Sequence, residues 1–207
     1  MTSQDCVAAP MLPAEPPPPT ISRRWLVAIH EGGHLAAIWL IKKERFVGAC
    51  VFDDCGSLLR SLFRNTNDDD SPEESFVTAA GPAAEWLTDR LPQPATLPYD
   101  KAQLPSTLSG PEGHARVVSE CQRMLSDEEW LKEWAGRGLE RHPEHLGTDV
   151  YSLPGVRHEA YVFVEEHLHL IGRIAEWLYL HGYIGPTDAE EIFRAAGQST
   201  TERESHE

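Results

Sequence analysis

Residues 27–37, VAIHEGGHLAA, restrict the possible folds of this chain more than any other stretch. The segment is predicted to lie in a helix from about Ile21 to Lys43, with Thr20 or Ser22 as its N-cap. His30 and His34 are then one turn apart on the same face, where both imidazoles can turn a nitrogen towards one metal ion. Glu31 lies about 100° further round the helix, off the ligand face but within reach of a water bound to that ion. The H-E-x-x-H spacing has a mechanism behind it. Catalytic zinc lowers the pKa of its water to roughly 7, and a carboxylate accepts the proton. Gly32 and Gly33 each cost about 1 kcal/mol relative to alanine inside a helix. Two in succession are expected only where another backbone, or a substrate, comes close. Two histidines do not complete a catalytic zinc site, so the fold must also bring in a third ligand.

The remainder of the 207 residues is predicted to be mainly α-helical, with a small β-element directly after this helix. Residues 1–20 are proline-rich without apolar period and are expected to be disordered. Residues 21–195 form the expected domain, and 196–207 a solvated tail. The stretch RFVGACVFDDCGSLLRSLF alternates and carries glycines, which suggests two or three short strands. Ser71 and Pro72, followed by acids, mark the start of a second helix. After a proline-rich loop of about twenty residues, SGPEGHARVVSECQRMLSDEEWLKEWAGRGL gives one or two more helices. The stretch GVRHEAYVFVEEHLHLIGRIAEWLYLHGYI gives a long one, with Val164, Leu168, Ile171, Ala175 and Leu178 along one stripe.

The formal net charge of −15 disfavours attraction to nucleic acid phosphates or anionic lipid. No apolar run is long enough to span a bilayer. The four scattered cysteines form no tight pair, as expected for reduced thiols in a cytoplasmic protein.

For the third ligand the leading candidate is His114. In a helix beginning near Pro111 it shares a face with Val117, Val118 and Cys121, while Arg116, Ser119, Glu120 and Arg123 lie opposite. A core histidine bonded to a carbonyl would look the same. Asp100 and Glu112, in or beside the loop, are weaker candidates. His142 and His145, in RHPEHLG, are expected at a helix end or in solvent, and His167 at the fringe of the apolar stripe.

VAIHEGGHLAA resembles the active-site helix of the FtsH-type zinc metalloproteases, whose motif has the form H-E-A/S-G-H. AAGPAAEWL (79–87) resembles that family's helix ending in G-x-A-A-E. SGPEGHARVVSECQRML resembles the later helix that supplies the third zinc ligand, and LHLIGRIAEWLYLHGYIGPTDAEEI the closing helix pair. The blocks occur in the family's order over roughly residues 21–195. The resemblance implies zinc held by His30, His34 and His114, the last standing where the family has an aspartate, with Glu31 as general base. It also suggests Glu85 as a residue that orients a zinc-binding histidine, against a plain surface glutamate. Pro82 departs from a helical block and is admissible only if Gly81 ends one helix and Pro82 begins the next.

The activity implied is a zinc metalloendopeptidase acting on protein or peptide substrates. The sequence contains no G-x-x-x-x-G-K-[ST], so the family's ATP-driven unfolding would need a separate ATPase partner. The rival expectations are a non-catalytic adaptor that keeps the fold and binds a protein partner, and a zinc hydrolase acting on a non-peptide bond. The strands of RFVGACVFDD are expected to offer an edge to an extended substrate.

Overall fold

The computed structural model describes residues 21–42, 46–51, 56–60, 71–94, 126–141, 143–145, 148 and 151–204. Helix α1 spans Arg23–Ala37, and Ser22 caps it by accepting a hydrogen bond from the Trp25 amide. Its predicted end near Lys43 is instead a π-helical turn, Ile38–Lys42. Strands β1 (Phe46–Val51) and β2 (Gly56–Arg60) follow, then α2 (Pro72–Glu85) with a 3-10 turn at Thr88–Arg90. The later elements are α3 (Asp127–Arg141), α4 (Leu153–Glu166), α5 (Leu168–His181), β3 (Tyr183–Ile184) and α6 (Pro186–Glu204). The chain is thus mainly helical over its described residues. Helix α6 runs on to Glu204 through residues read from the sequence as tail.

Helix α1 lies at the centre, packed against α2 on one side and α5 on the other. The paired glycines explain how. A Cβ on Gly33 would lie 2.4 Å from the Ala80 carbonyl oxygen of α2, and one on Gly32 would lie 3.2 Å from the Ile171 carbonyl oxygen of α5. The two glycines therefore serve two different backbones. Around this contact Trp25, Ile29, Leu35, Val77, Leu131, Trp134, Ile171, Ile174 and Leu178 form a buried apolar core.

Three sequence expectations change. Helix α2 runs through Gly81 and Pro82 without a break. Proline lacks the N–H that would complete a helical turn, but Ala79, Ala80, Ala83 and Ala84 pack that helix into the core on both sides of it. The long helix expected near the C-terminus is two, α4 and α5, meeting at His167. There the backbone leaves the helical region (φ −107°, ψ 16°), and the ring Nδ1 donates to the Phe163 carbonyl at 2.9 Å while stacking on the Phe163 ring. Finally, β1 is not an edge. It pairs antiparallel with β2 on one side and, through Ala49 and Cys50, with β3 on the other. The return from α5 to β3 is made by Gly182, at φ 73°, which a side chain would strain.

Candidate metal centre

His30 and His34 project from α1 towards the first residue of α3. The start of α3 is set by a reciprocal capping box. The Ser126 hydroxyl accepts from the Glu129 amide, and the Glu129 carboxylate accepts from both the amide and the hydroxyl of Ser126. With that start, Asp127 heads the stripe that continues through Leu131, Trp134 and Gly138, all buried. A carboxylate at the head of a buried stripe must point into the protein.

It points at the histidines. His30 Nε2 lies 2.9 Å and His34 Nε2 3.3 Å from Asp127 Oδ2, and the two Nε2 atoms are 3.0 Å apart. The outer nitrogens fix the tautomers. His34 Nδ1 is 2.7 Å from the Val77 carbonyl oxygen, which can only accept, so Nδ1 carries the hydrogen. His30 Nδ1 likewise faces the Glu85 carboxylate at 2.7 Å. In neutral imidazoles both Nε2 atoms therefore present lone pairs, and Asp127 adds a third.

Three lone pairs at these separations repel unless positive charge lies among them. A proton is one source. Burial alone would lower the pKa of His30, but its hydrogen bonds with Asp127 and Glu85 outweigh this and raise it to about 10. Burial would raise that of Asp127, yet the His34 charge and the His30 hydrogen bond hold it well below the usual carboxylate range. A metal ion is the other source. Tetrahedral zinc with bonds of about 2.0–2.1 Å separates its ligands by about 3.3 Å, close to the spacings here. Two imidazoles and a carboxylate, with outer partners on both rings, suit that ion.

Glu31 stands beside the triad and is only 6% exposed. Its Oε2 is buried without a hydrogen-bond partner. Burial pushes its pKa up, opposed by the charges of His34 and His30. A buried carboxylate oxygen with nothing to accept from is costly unless a water or substrate group reaches it. Helix α2 closes the other side: a Cβ on Gly81 would lie 2.4 Å from His34 Nε2 and 2.9 Å from His30 Nε2.

His30, Glu31 and His34 are thus brought together as the sequence suggested, and Glu85 takes up the orienting position on His30. His114, Glu112 and Asp100 lie outside the described residues. Asp127 is the candidate donor that sequence reasoning missed, because acids in a first helical turn are expected for the helix dipole alone. The signal was the box S-x-x-E at Ser126–Glu129, which sets the helix phase and puts Asp127, not Glu128 or Glu129, on the apolar stripe. Among the described residues no second cluster of metal-ligating side chains occurs.

Two predictions follow from the donor set. Asp127→Ala is expected to weaken zinc binding by more than the 10- to 100-fold typical of outer partners, whereas His114→Ala keeps one zinc per chain. Competition with a chromogenic chelator reads both, and zinc lost on changing His114 would add that residue to the set. Glu85→Gln keeps the shape but not the charge behind His30. Its expected cost is about 10- to 100-fold in zinc affinity, and an unchanged affinity would make Glu85 a bystander.

Comparison with protein-family models, curated proteins and solved structures finds no match for this chain.

Proposed function

We propose that this chain is a zinc-dependent metalloendopeptidase. The observation that carries the reading is the convergence of His30 Nε2, His34 Nε2 and Asp127 Oδ2 within 4.8 Å of one another, with the buried Glu31 carboxylate, its Oε2 without a hydrogen-bond partner, beside them. The resemblance of the helix and its neighbouring blocks to FtsH-type peptidase domains supports it.

His30, His34 and Asp127 would hold the ion, whose chemistry when bound is to polarise a carbonyl and acidify water. Glu31 takes a proton from the attacking water and returns it to the leaving amine nitrogen. Its burial favours this role, since a carboxylate with a raised pKa is a better proton acceptor than an exposed one. Glu85 and the Val77 carbonyl hold the rings with Nε2 inward, and Gly81 leaves the rings room to stand. Two histidines and one carboxylate also suit Fe(II). The adjacent Glu31, placed for proton transfer, favours hydrolysis and hence zinc.

The test is elemental analysis for zinc and iron beside cleavage of unfolded casein. One zinc per chain and cleavage abolished by a chelator is the expected result. Zinc without cleavage of casein would move the reading to the adaptor. Turnover of small esters or amides alone would move it to a non-peptide hydrolase, and iron in place of zinc would overturn it.

A further inference from the structure

A cavity of about 140 Å³ lies between α2, α3 and α4. Its position follows from helix phase. Gly81 and Glu85 of α2 face the histidines. Pro82 and Trp86, the residues after each, line the cavity, together with Ala83. On α3, Asp127 belongs to the centre, while Glu128 and Leu131 belong to the cavity. Helices α2 and α3 therefore contribute to both the donor cluster and the cavity wall, on faces about 100° apart.

The lining has the character of a side-chain receptor. Pro82, Ala83 and Leu131 make an apolar floor. Trp86 is 66% exposed, unusual for the largest apolar side chain, and is flanked by the Tyr161 ring of α4 at 6.4 Å. Its open face costs nothing if another apolar group covers it during binding. The rim is ionic and net positive: the one carboxylate of Glu128 is shared between Arg157 at 3.4 Å and Lys132 at 3.0 Å. A basic side chain entering here would lose water and meet two cations that already share the one carboxylate, and an acidic one would have to leave water for an apolar floor. The volume is close to that of an apolar cavity of about 150 Å³ that accepts benzene.

We infer that this cavity receives one uncharged side chain of leucine, methionine or phenylalanine size next to the scissile bond, and that Trp86 sets this preference. The inference rests on the peptidase reading and names its substrate class: unfolded segments bearing a medium-sized apolar residue, with glycine too small and tryptophan too large.

The experiment uses hydroxamates, which share one metal-chelating group, titrated into the zinc-loaded full chain by calorimetry. Acetohydroxamate supplies the chelating group alone. Phenylacetohydroxamate and 3-phenylpropanohydroxamate add a ring on two spacers, and 3-(indol-3-yl)propanohydroxamate adds a larger one. At least one phenyl compound is expected to bind roughly 10- to 100-fold tighter than acetohydroxamate, and the indole compound gains less. The ratio of phenyl to acetyl affinity is read again in Trp86→Ala, which removes the wall at an exposed position, and in Ala83→Leu, which fills the cavity. Both lower the ratio towards one if the inference holds. Equal affinities in the wild type, or a ratio that survives both substitutions, overturn the inference and leave the peptidase reading intact. Acetohydroxamate failing to bind the zinc-loaded chain overturns both.

Discussion

Replacing Glu31 by glutamine is expected to lower casein cleavage by about 10²- to 10⁴-fold, the range that a positioned acid–base group supplies, while one zinc per chain is retained. The amide matches the carboxylate in shape, so the substitution leaves no void beside His30 and His34. It cannot accept a proton, and that is the step it removes. Because Glu31 is buried and its Oε2 has no hydrogen-bond partner, the amide breaks no hydrogen bond at that oxygen and removes only the charge that faces His34 and His30. Cleavage that persists in the glutamine variant would remove Glu31 from the proton path. Zinc lost along with activity would mean that the carboxylate holds the ion instead.

The second large effect separates two glycines by the same one-methyl change. At Gly33 the new Cβ meets backbone, 2.4 Å from the Ala80 oxygen, and 2.9 Å from the Ala84 Cβ. Neither can swing away, so α1 and α2 must part. Overpacking of this kind costs about 1–3 kcal/mol or more, against a gain of about 1 kcal/mol in helix propensity. With backbone on the facing side the cost falls at the upper end of that range, and a net loss of about 2 kcal/mol lowers the melting temperature by roughly 4–8 °C in a chain of this size. At Gly81 the new Cβ meets the ends of two side chains, His34 at 2.4 Å and His30 at 2.9 Å. Imidazoles can turn aside, so with both proteins free of metal Gly81→Ala is expected to melt closer to wild type than Gly33→Ala does. The rings that turn aside, however, no longer direct Nε2 to a common point, and zinc binding is lost. Thermal melting beside metal analysis checks the pair. The packing argument fails if Gly33→Ala is as stable as wild type, and the ring argument fails if Gly81→Ala still binds stoichiometric zinc.

Much of this was legible in the sequence, for identifiable reasons. The spacing of His30 and His34 fixes their common face once the helix is granted, and Ser22, Ser71 and Pro72 announce helix starts through cap chemistry that is local. Gly32 and Gly33 announce close approach, though not that it comes from two sides. What was not legible depends mostly on contacts between distant segments. Pro82 sits within a helix because tertiary packing on both flanks outweighs one missing hydrogen bond. At the break the His167 ring joins its own amide on the Phe163 carbonyl, a local arrangement that a periodicity of apolar residues does not reveal. Strand β3 has two residues and exists only because α5 ends at Gly182 beside β1. Asp127 was hidden among three consecutive acids at a helix start, where its neighbours supply an ordinary electrostatic reason for their presence.

The candidate donors come from separate elements: two from α1 and one from the head of α3, with Val77 and Glu85 of α2 behind the rings. No one element has the site, so an unfolded chain has little affinity for the ion. Whatever binds only the folded form shifts its equilibrium with unfolded chains by mass action, about 2.7 kcal/mol when free ligand exceeds its dissociation constant a hundredfold. The population of intact molecules would accordingly follow the free metal concentration of their surroundings. Metal scarcity would thus lower the stability of the fold as well as the share of molecules that carry the ion.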